Sequence, residues 1–184
     1  THLQDATPLS LGQEFSGYHS QLKKCIERIE KALNEIYFLA QGGTAVGSGI
    51  NAHKQFAKIF AQELTNLSGS NCKCIPSSNF FHELSAQDCS VQLSGELKNL
   101  AVILMKISND LRWMNSGPIS GLSEVSLKPL QPGSSIMPGK INPVIPEAVA
   151  MASADVIGND VSITVASQSG NFQLNVFNPV MIFN

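Results

Sequence analysis

Residues 93–114, with the sequence LSGELKNLAVILMKISNDLRWM, decide the fold class of this chain. Apolar residues recur there at alternating steps of four and three, so they form one stripe along a helix. They are Leu93, Leu97, Leu100, Leu104, Ile107, Leu111 and Met114. The pattern predicts a helix of about 35 residues, on the order of 50 Å long at about 1.5 Å per residue. Because a small compact domain cannot cover such a helix, it indicates an extended helical bundle.

The rest of the chain also has helical patterns, and the alternation typical of a strand is nowhere sustained. Further helices are predicted around Ser10–Ala40, from near His53 to Leu67, from Pro143 to about Ser167, and from near Gln173 onwards. Loops rich in glycine, proline or serine separate these helices. We therefore predict an all-α fold, a long-helix bundle in which residues 1–184 form one central helical-bundle domain. We expect this domain to be the middle of a longer protein.

The chain is poor in charge for its size. Charged residues make up 14% of its 184 residues and the formal net charge is −2, whereas typical soluble domains carry about 25% charged residues. Such a surface is expected to be covered by another subunit. The absence of a basic block argues against a nucleic-acid partner, and no apolar run reaches the roughly 18 residues of a membrane-spanning helix. We therefore expect a homo-oligomer with neither a nucleic-acid nor a membrane partner.

The four cysteines do not have the spacing of a paired metal site. Cys72 and Cys74 form a single C-x-C without a nearby histidine, which is a weak indication of zinc. Cys25 and Cys89 fall within helical patterns, where we expect buried, reduced thiols. Together with the lack of a signal or transit pattern, this indicates a cytoplasmic protein, or a mitochondrial one if the source is eukaryotic.

The stretch Gly133–Asn142, with the sequence GSSIMPGKIN, is the most informative about chemistry. Its glycines let the backbone bend and bring amide N–H groups close to an anion. Lys140 adds a mobile positive charge, and Asn142 can both donate and accept hydrogen bonds. Ser134 and Ser135 offer hydroxyl groups in this electropositive setting. The loop therefore indicates a site for an oxyanion or a substrate carboxylate.

This loop resembles the signature of the fumarase/aspartase superfamily, and within it the chain most resembles the class II fumarate hydratases. The resemblance covers essentially all 184 residues. It also rests on Thr1–Ala6 (THLQDA), Leu11–Gly17 (LGQEFSG), Gly42–Gly47 (GGTAVG), Ser116–Pro118 (SGP) and Asn175–Phe177 (NVF). It implies the central domain of a three-part chain, whose long helices merge in a homotetramer. The contacts would involve the helices around Ser10–Ala40, Asn79–Asn115 and Ala148–Ser167.

The resemblance implies the reversible anti addition of water to fumarate, which gives (S)-malate, without a metal or an organic cofactor. Ser134 would be the general base, acting as an alkoxide or nearly so, and proton removal beside a carboxylate would give an aci-carboxylate. His2 would lie near the departing water, with its ring oriented by Glu147. The dicarboxylate substrate would be bound by Thr1, Ser135, Lys140 and Asn142.

Two other functions remain open. An aspartate ammonia-lyase would use the same serine base, and the run Pro143–Glu147 looks more like aspartase. A non-catalytic helical assembly module is suggested by Ile119, which stands where many family members have arginine. The resemblance also implies that each active site draws on three subunits and on segments outside these 184 residues. The 184-residue chain alone is therefore expected to be inactive or nearly so.

Overall fold

The chain is built mainly of helices. This is shown by a computed structural model, which describes residues 1–69 and 72–184. Its elements, in chain order, are α1 Leu11–Ile36, β1 Phe38–Leu39, α2 Phe56–Ser68, β2 Ile75–Pro76, α3 Phe80–Ser85, α4 Asp88–Met114, α5 Val144–Gln168 and α6 Asn178–Phe183. The strands β1 and β2 have two residues each. The predicted all-α class is therefore confirmed for the described residues.

The chain divides into two compact units, each made of two segments. Unit 1 consists of Thr1–Glu27 and Asn99–Ala154, and it contains the loop Gly133–Asn142. Unit 2 consists of Arg28–Lys98 and Asp155–Asn184. The boundaries fall inside α1, α4 and α5, so each of these long helices contributes residues to both units.

A reciprocal cap begins α1. The hydroxyl oxygen of Ser10 accepts a hydrogen bond from the N–H of Gln13 at 3.2 Å, and the side-chain oxygen of Gln13 accepts one from the N–H of Ser10 at 2.8 Å. This capping box satisfies two donors at the helix start. The helix ends at Ile36 rather than at the predicted Ala40, because β1 follows and pairs in parallel with β2.

All the heptad residues of the 93–114 stretch lie in α4, but the predicted helix of about 35 residues is wrong. α4 has 27 residues, and the six-residue helix α3 precedes it. The backbone of Ala86, between the two helices, is extended, with φ −83° and ψ 140°. α3 has its own cap, since the side chain of Asn79 accepts a hydrogen bond from the N–H of His82 at 3.2 Å. The continuous helix is therefore about 40 Å long.

By length and composition, α5 is the one helix in the described ranges that could cross a membrane. The sequence predicted no such segment, because polar residues such as Ser153 and Asp155 interrupt the apolar runs of this helix. In unit 2, however, Asp160 of α5 accepts hydrogen bonds from Ser94 and Lys98 of α4. These contacts favour a helix that packs against other helices.

Asn175 holds the turn that follows α5. It is 2% exposed, and its amide group donates to two carbonyl oxygens in the last turn of α5, each at 3.1 Å. Its Oδ1 accepts from the N–H of Phe177 at 2.8 Å. These bonds satisfy helix-end carbonyls that would otherwise lack partners. The last helix therefore begins at Asn178, later than the predicted Gln173.

The two cysteines expected to be buried differ in exposure. Cys25 in α1 is fully buried at 0% exposure, as predicted. Cys89 in α4 is partly buried, and this burial raises the pKa of its thiol despite hydrogen bonds from Ser90 that lower it. Both thiols are free.

Candidate active site

The segment after α4 folds back onto the end of that helix, within unit 1. The N–H of Glu124 donates to the carbonyl oxygen of Met114 at 2.8 Å. The side-chain oxygen of Asn115 accepts from the N–H of Leu127 at 2.8 Å. These bonds to the helix end fix residues 115–127 beside the last turn of α4.

The loop Gly133–Asn142 closes on itself. A Cβ atom on Gly133 would overlap the carbonyl oxygen of Lys140, so a glycine is required there. Gly139 has φ +82°, in the left-handed region that favours glycine. Two successive hydrogen-bonded turns span the residues between these points. The glycines therefore permit the bends that the sequence indicated.

Glu147 lies in the first turn of α5, as the sequence predicted. Its N–H donates to the carbonyl oxygen of Pro143 at 3.1 Å, and its side chain is half-buried. Pro146 before it is buried. The helix macrodipole favours a carboxylate at this position, so the charge of Glu147 is compatible with its partial burial.

The end of α4, residues 115–127 and residues 138–147 border a cleft of about 960 Å³ in unit 1. Three charged side chains line it: Arg112, Lys140 and Glu147. Its uncharged polar lining comes from Asn109, Asn115, Ser116, Ser123 and Ser126. Two cations, one anion and several neutral donors make the cleft suitable for a small anion with more than one oxygen.

The structure brings together two of the predicted site residues, Lys140 and Glu147, in this cleft. Ser134, Ser135 and Asn142 lie in the adjoining loop but do not line the cleft. The hydroxyl oxygen of half-buried Ser134 accepts a hydrogen bond from the N–H of Ile136 at 3.4 Å. This contact is long, so it leaves the hydroxyl group available to other partners.

Thr1 and His2 lie in a separate turn of unit 1. The carbonyl oxygen of Thr1 accepts from the N–H of Gln4 at 2.8 Å, and His2 is exposed with φ +55°. Across residues 1–69 and 72–184, no hydrogen bond joins the ring of His2 to Glu147. The predicted orientation of His2 by Glu147 is therefore not made within a single copy of this chain.

Two residues of the cleft, Asn109 and Arg112, were not predicted from the sequence. They stand three residues apart in the last turns of α4, so they share a face of that helix. The Nη1 group of Arg112 donates to Oδ1 of Asn109 at 3.1 Å. The pair comes just before the Ser116–Pro118 motif, and this closeness to a motif is the one signal that could have identified it.

Within the described ranges, no group of three or more histidine, cysteine, aspartate or glutamate side chains is placed to hold a metal ion.

Comparisons with known proteins identify the family. The family model described as Lyase matches residues 1–158. The chain belongs to this lyase family. Fumarate hydratase class II 2 of Pseudomonas aeruginosa is 56% identical over 184 residues, which are 100% of this chain and 40% of that protein. Fumarate hydratase class II of Rickettsia bellii is 53% identical over 184 residues, 100% of this chain and 39% of that protein.

A solved structure agrees with those relatives. The class II fumarase of Schistosoma mansoni superposes with a TM-score of 0.95 at 40% identity, over 98% of this chain and 40% of that one. The resemblance to the class II fumarate hydratases is thus confirmed. The chain spans about two fifths of the length of the relatives that it matches.

Proposed function

We propose that the protein carrying this chain is a fumarate hydratase, which adds water reversibly to fumarate to give (S)-malate. The observation that carries this proposal is the 56% identity to a class II fumarate hydratase over all 184 residues. The cleft in unit 1 supports it, since Arg112 and Lys140 give that cleft two positive charges. A substrate with two carboxylates is the kind of ligand that such a lining attracts.

The chemistry of the proposed site follows from the charge that develops in the reaction. Removal of a proton beside a carboxylate concentrates two negative charges at one end of the substrate. Backbone N–H groups of the loop Gly133–Asn142 and the ammonium group of Lys140 would stabilise that charge. Ser134 would take the proton, and its hydroxyl must first be activated because a neutral alcohol is a weak base. Asn142, Ser135 and Thr1 would bind substrate oxygens.

The proposed role of His2 requires more than one copy of the chain. Since no hydrogen bond joins His2 to Glu147 within one copy, we propose that these side chains meet across subunits of a homotetramer. Large apolar side chains that are exposed along the long helices support such an assembly. They include Leu97 (42% exposed), Val102 (53%), Met151 (68%), Val161 (62%) and Val165 (48%). Burying them between subunits would be favourable at about 25 cal/mol per Å².

The proposal is tested with the protein expressed from its complete gene. Malate and fumarate are supplied separately, and the absorbance of fumarate is followed in both directions. Aspartate is supplied in a parallel assay, with ammonia as the measured product. Turnover of malate in the first assay, with no ammonia released from aspartate in the second, supports the proposal. Ammonia release from aspartate would favour the aspartate ammonia-lyase instead, and inactivity on every substrate would favour an assembly module.

A second assay uses the 184-residue chain alone. We expect it to have little or no activity, because the proposed sites draw on several segments and subunits. Wild-type-like turnover by the isolated chain would contradict this expectation.

A further inference from the structure

Three charged side chains line the cleft in unit 1. Arg112, Lys140 and Glu147 all line it, yet none of them forms an ion pair within residues 1–69 and 72–184. Arg28, by contrast, pairs with Glu96 at 3.1 Å. Charged groups that face one cleft without an internal partner are available to a ligand.

The guanidinium group of Arg112 has one hydrogen bond to a neighbouring side chain. Its Nη1 donates to Oδ1 of Asn109 at 3.1 Å, one turn earlier on the same face of α4. This leaves the edge formed by Nε and Nη2 unbonded in the part of the chain that the structure describes. Such an edge matches a carboxylate, because two parallel N–H groups meet two oxygens.

Resting on the proposed function, we propose that Arg112 is a carboxylate-binding residue of this site and that Asn109 is its positioning residue. Arg112 would bind one carboxylate of the substrate on the side of the cleft formed by α4. Lys140, on the loop side, would act on the other end. With Glu147, the lining carries a net charge of +1 from two cations and one anion, so a dicarboxylate is favoured over a neutral ligand.

A purely structural role for Arg112 predicts a different experimental result. A cation in the last turn of a helix stabilises it through the macrodipole. Arg112 occupies such a position at the end of α4. Loss of a structural contact would lower the melting temperature and leave the KM unchanged. Loss of a substrate contact would raise the KM and weaken the binding of an unreactive dicarboxylate.

The experiment compares three variants of the protein expressed from its complete gene. Arg112→Gln removes the charge and the two parallel N–H donors, whereas Arg112→Lys keeps the charge without those donors. Asn109→Ala removes the hydrogen bond that positions the guanidinium group. Lys128→Gln is the matched control, since Lys128 is an exposed cation on the neighbouring segment that does not line the cleft. The readouts are the KM and kcat for malate and for fumarate, and the rise in melting temperature produced by succinate.

We expect Arg112→Gln to raise both KM values by about 10- to 100-fold, as fits the loss of a charge-assisted contact. It should also remove most of the succinate effect. Arg112→Lys should lie between Arg112→Gln and wild type, Asn109→Ala should raise the KM by less than Arg112→Gln does, and Lys128→Gln should match wild type.

Two failures are distinguishable. A wild-type protein that is inactive on malate and fumarate contradicts the proposed function, and succinate binding then still tests Arg112. An active wild type whose KM and succinate effect persist in Arg112→Gln overturns the role of Arg112 alone. If Arg112→Gln does not fold, Arg112→Lys and Asn109→Ala decide by the same readouts.

Discussion

The ammonium group of Lys98 in α4 lies 2.6 Å from Oδ2 of Asp160 in α5. The hydroxyl group of Ser94, one turn earlier in α4, donates to the other oxygen of the same carboxylate at 2.8 Å. The side chain of Asp160 is 7% exposed, whereas that of Lys98 is 44% exposed. Both oxygens of a buried carboxylate therefore have donors from one neighbouring helix. This arrangement favours a single register between α4 and α5 in unit 2.

Lys98→Met should destabilise the protein, because it leaves the buried carboxylate of Asp160 with the Ser94 hydroxyl as its remaining donor. We expect a loss of about 1–3 kcal/mol, the range for a buried acceptor that loses its partner. The exposure of Lys98 weakens the ion pair, so the loss stays within this range. Urea unfolding of the complete protein near neutral pH measures the change. Lys128→Met removes an exposed cation and is the control. Equal unfolding midpoints for the two variants would contradict the role of Lys98.

The Asp160 carboxylate should make stability depend on pH. Burial raises its pKa, but hydrogen bonds from Lys98 and Ser94 and the charge of Lys98 outweigh burial, so its pKa lies below the ordinary value of 3.8. A lowered pKa in the folded state stabilises the fold above the unfolded value, and this stabilisation is lost as the pH falls through the folded value. The free-energy difference between wild type and Asp160→Asn should be constant above about pH 5 and shrink below about pH 4. A difference that stays constant in acid would refute this assignment.

Gly47 should not tolerate a side chain. Its φ is +107°, and a Cβ atom there would lie 2.8 Å from the backbone nitrogen of Phe81. Gly47→Ala should therefore cost about 2–4 kcal/mol of unfolding free energy, from backbone strain and overpacking. Gly95→Ala is the control, because nothing lies within 4 Å of a Cβ atom at that helical position. It should stabilise α4 by about 0.5–1 kcal/mol. Thermal unfolding should give a lower melting temperature for Gly47→Ala and a higher one for Gly95→Ala than for wild type.

How far the fold was predictable depends on which interactions are local. The heptad pattern predicted a continuous apolar face, and α4 contains all the residues of that pattern. No such pattern marks the break at Ala86. The cap at Asn79 marks where α3 begins and not where the helix is interrupted. The start of α6 was also missed, since Asn175 bonds to carbonyl groups of α5 instead of continuing a helix. Bonds that run from one element to another set these boundaries, and the residues themselves do not display them.

The same reasoning applies to the candidate site. Lys140 was identified because it belongs to a loop whose composition is unusual along the sequence. Arg112 was missed because it belongs to a helix whose charged positions look like an ordinary solvated face. Arg112 lines the cleft because residues 115–127 fold back on the end of α4. No local sequence pattern predicts this arrangement.

Ser134→Ala should remove most of the proposed hydratase activity. If Ser134 is the general base, its loss should lower kcat by about 10²- to 10⁴-fold, with the melting temperature unchanged. Ser120→Ala is the control, because Ser120 is an exposed serine outside the loop Gly133–Asn142. The rate of fumarate formation from malate is measured for both variants. An unchanged kcat in Ser134→Ala would exclude it as the base, while binding by the rest of the loop could still be examined through the KM.

Val161→Glu tests the proposed homotetramer. Val161 is 62% exposed, and Val165, one turn later on the same face of α5, is 48% exposed. If these side chains lie between subunits, a carboxylate at position 161 would lose its water on assembly without a cationic partner, which is strongly unfavourable. We expect wild type to scatter light as a tetramer at micromolar concentration and Val161→Glu to scatter as a smaller species.

A matched substitution separates the interface from a general effect of charge. Ile119 is 94% exposed and lies outside the helices predicted to form the contacts, so Ile119→Glu adds the same charge without entering the proposed interface. It should remain tetrameric. Because the proposed site needs His2 and Glu147 from different subunits, Val161→Glu should also lose hydratase activity as it dissociates. A stable wild-type monomer would contradict the assembly, and an active dissociated Val161→Glu would show that one copy suffices for the reaction.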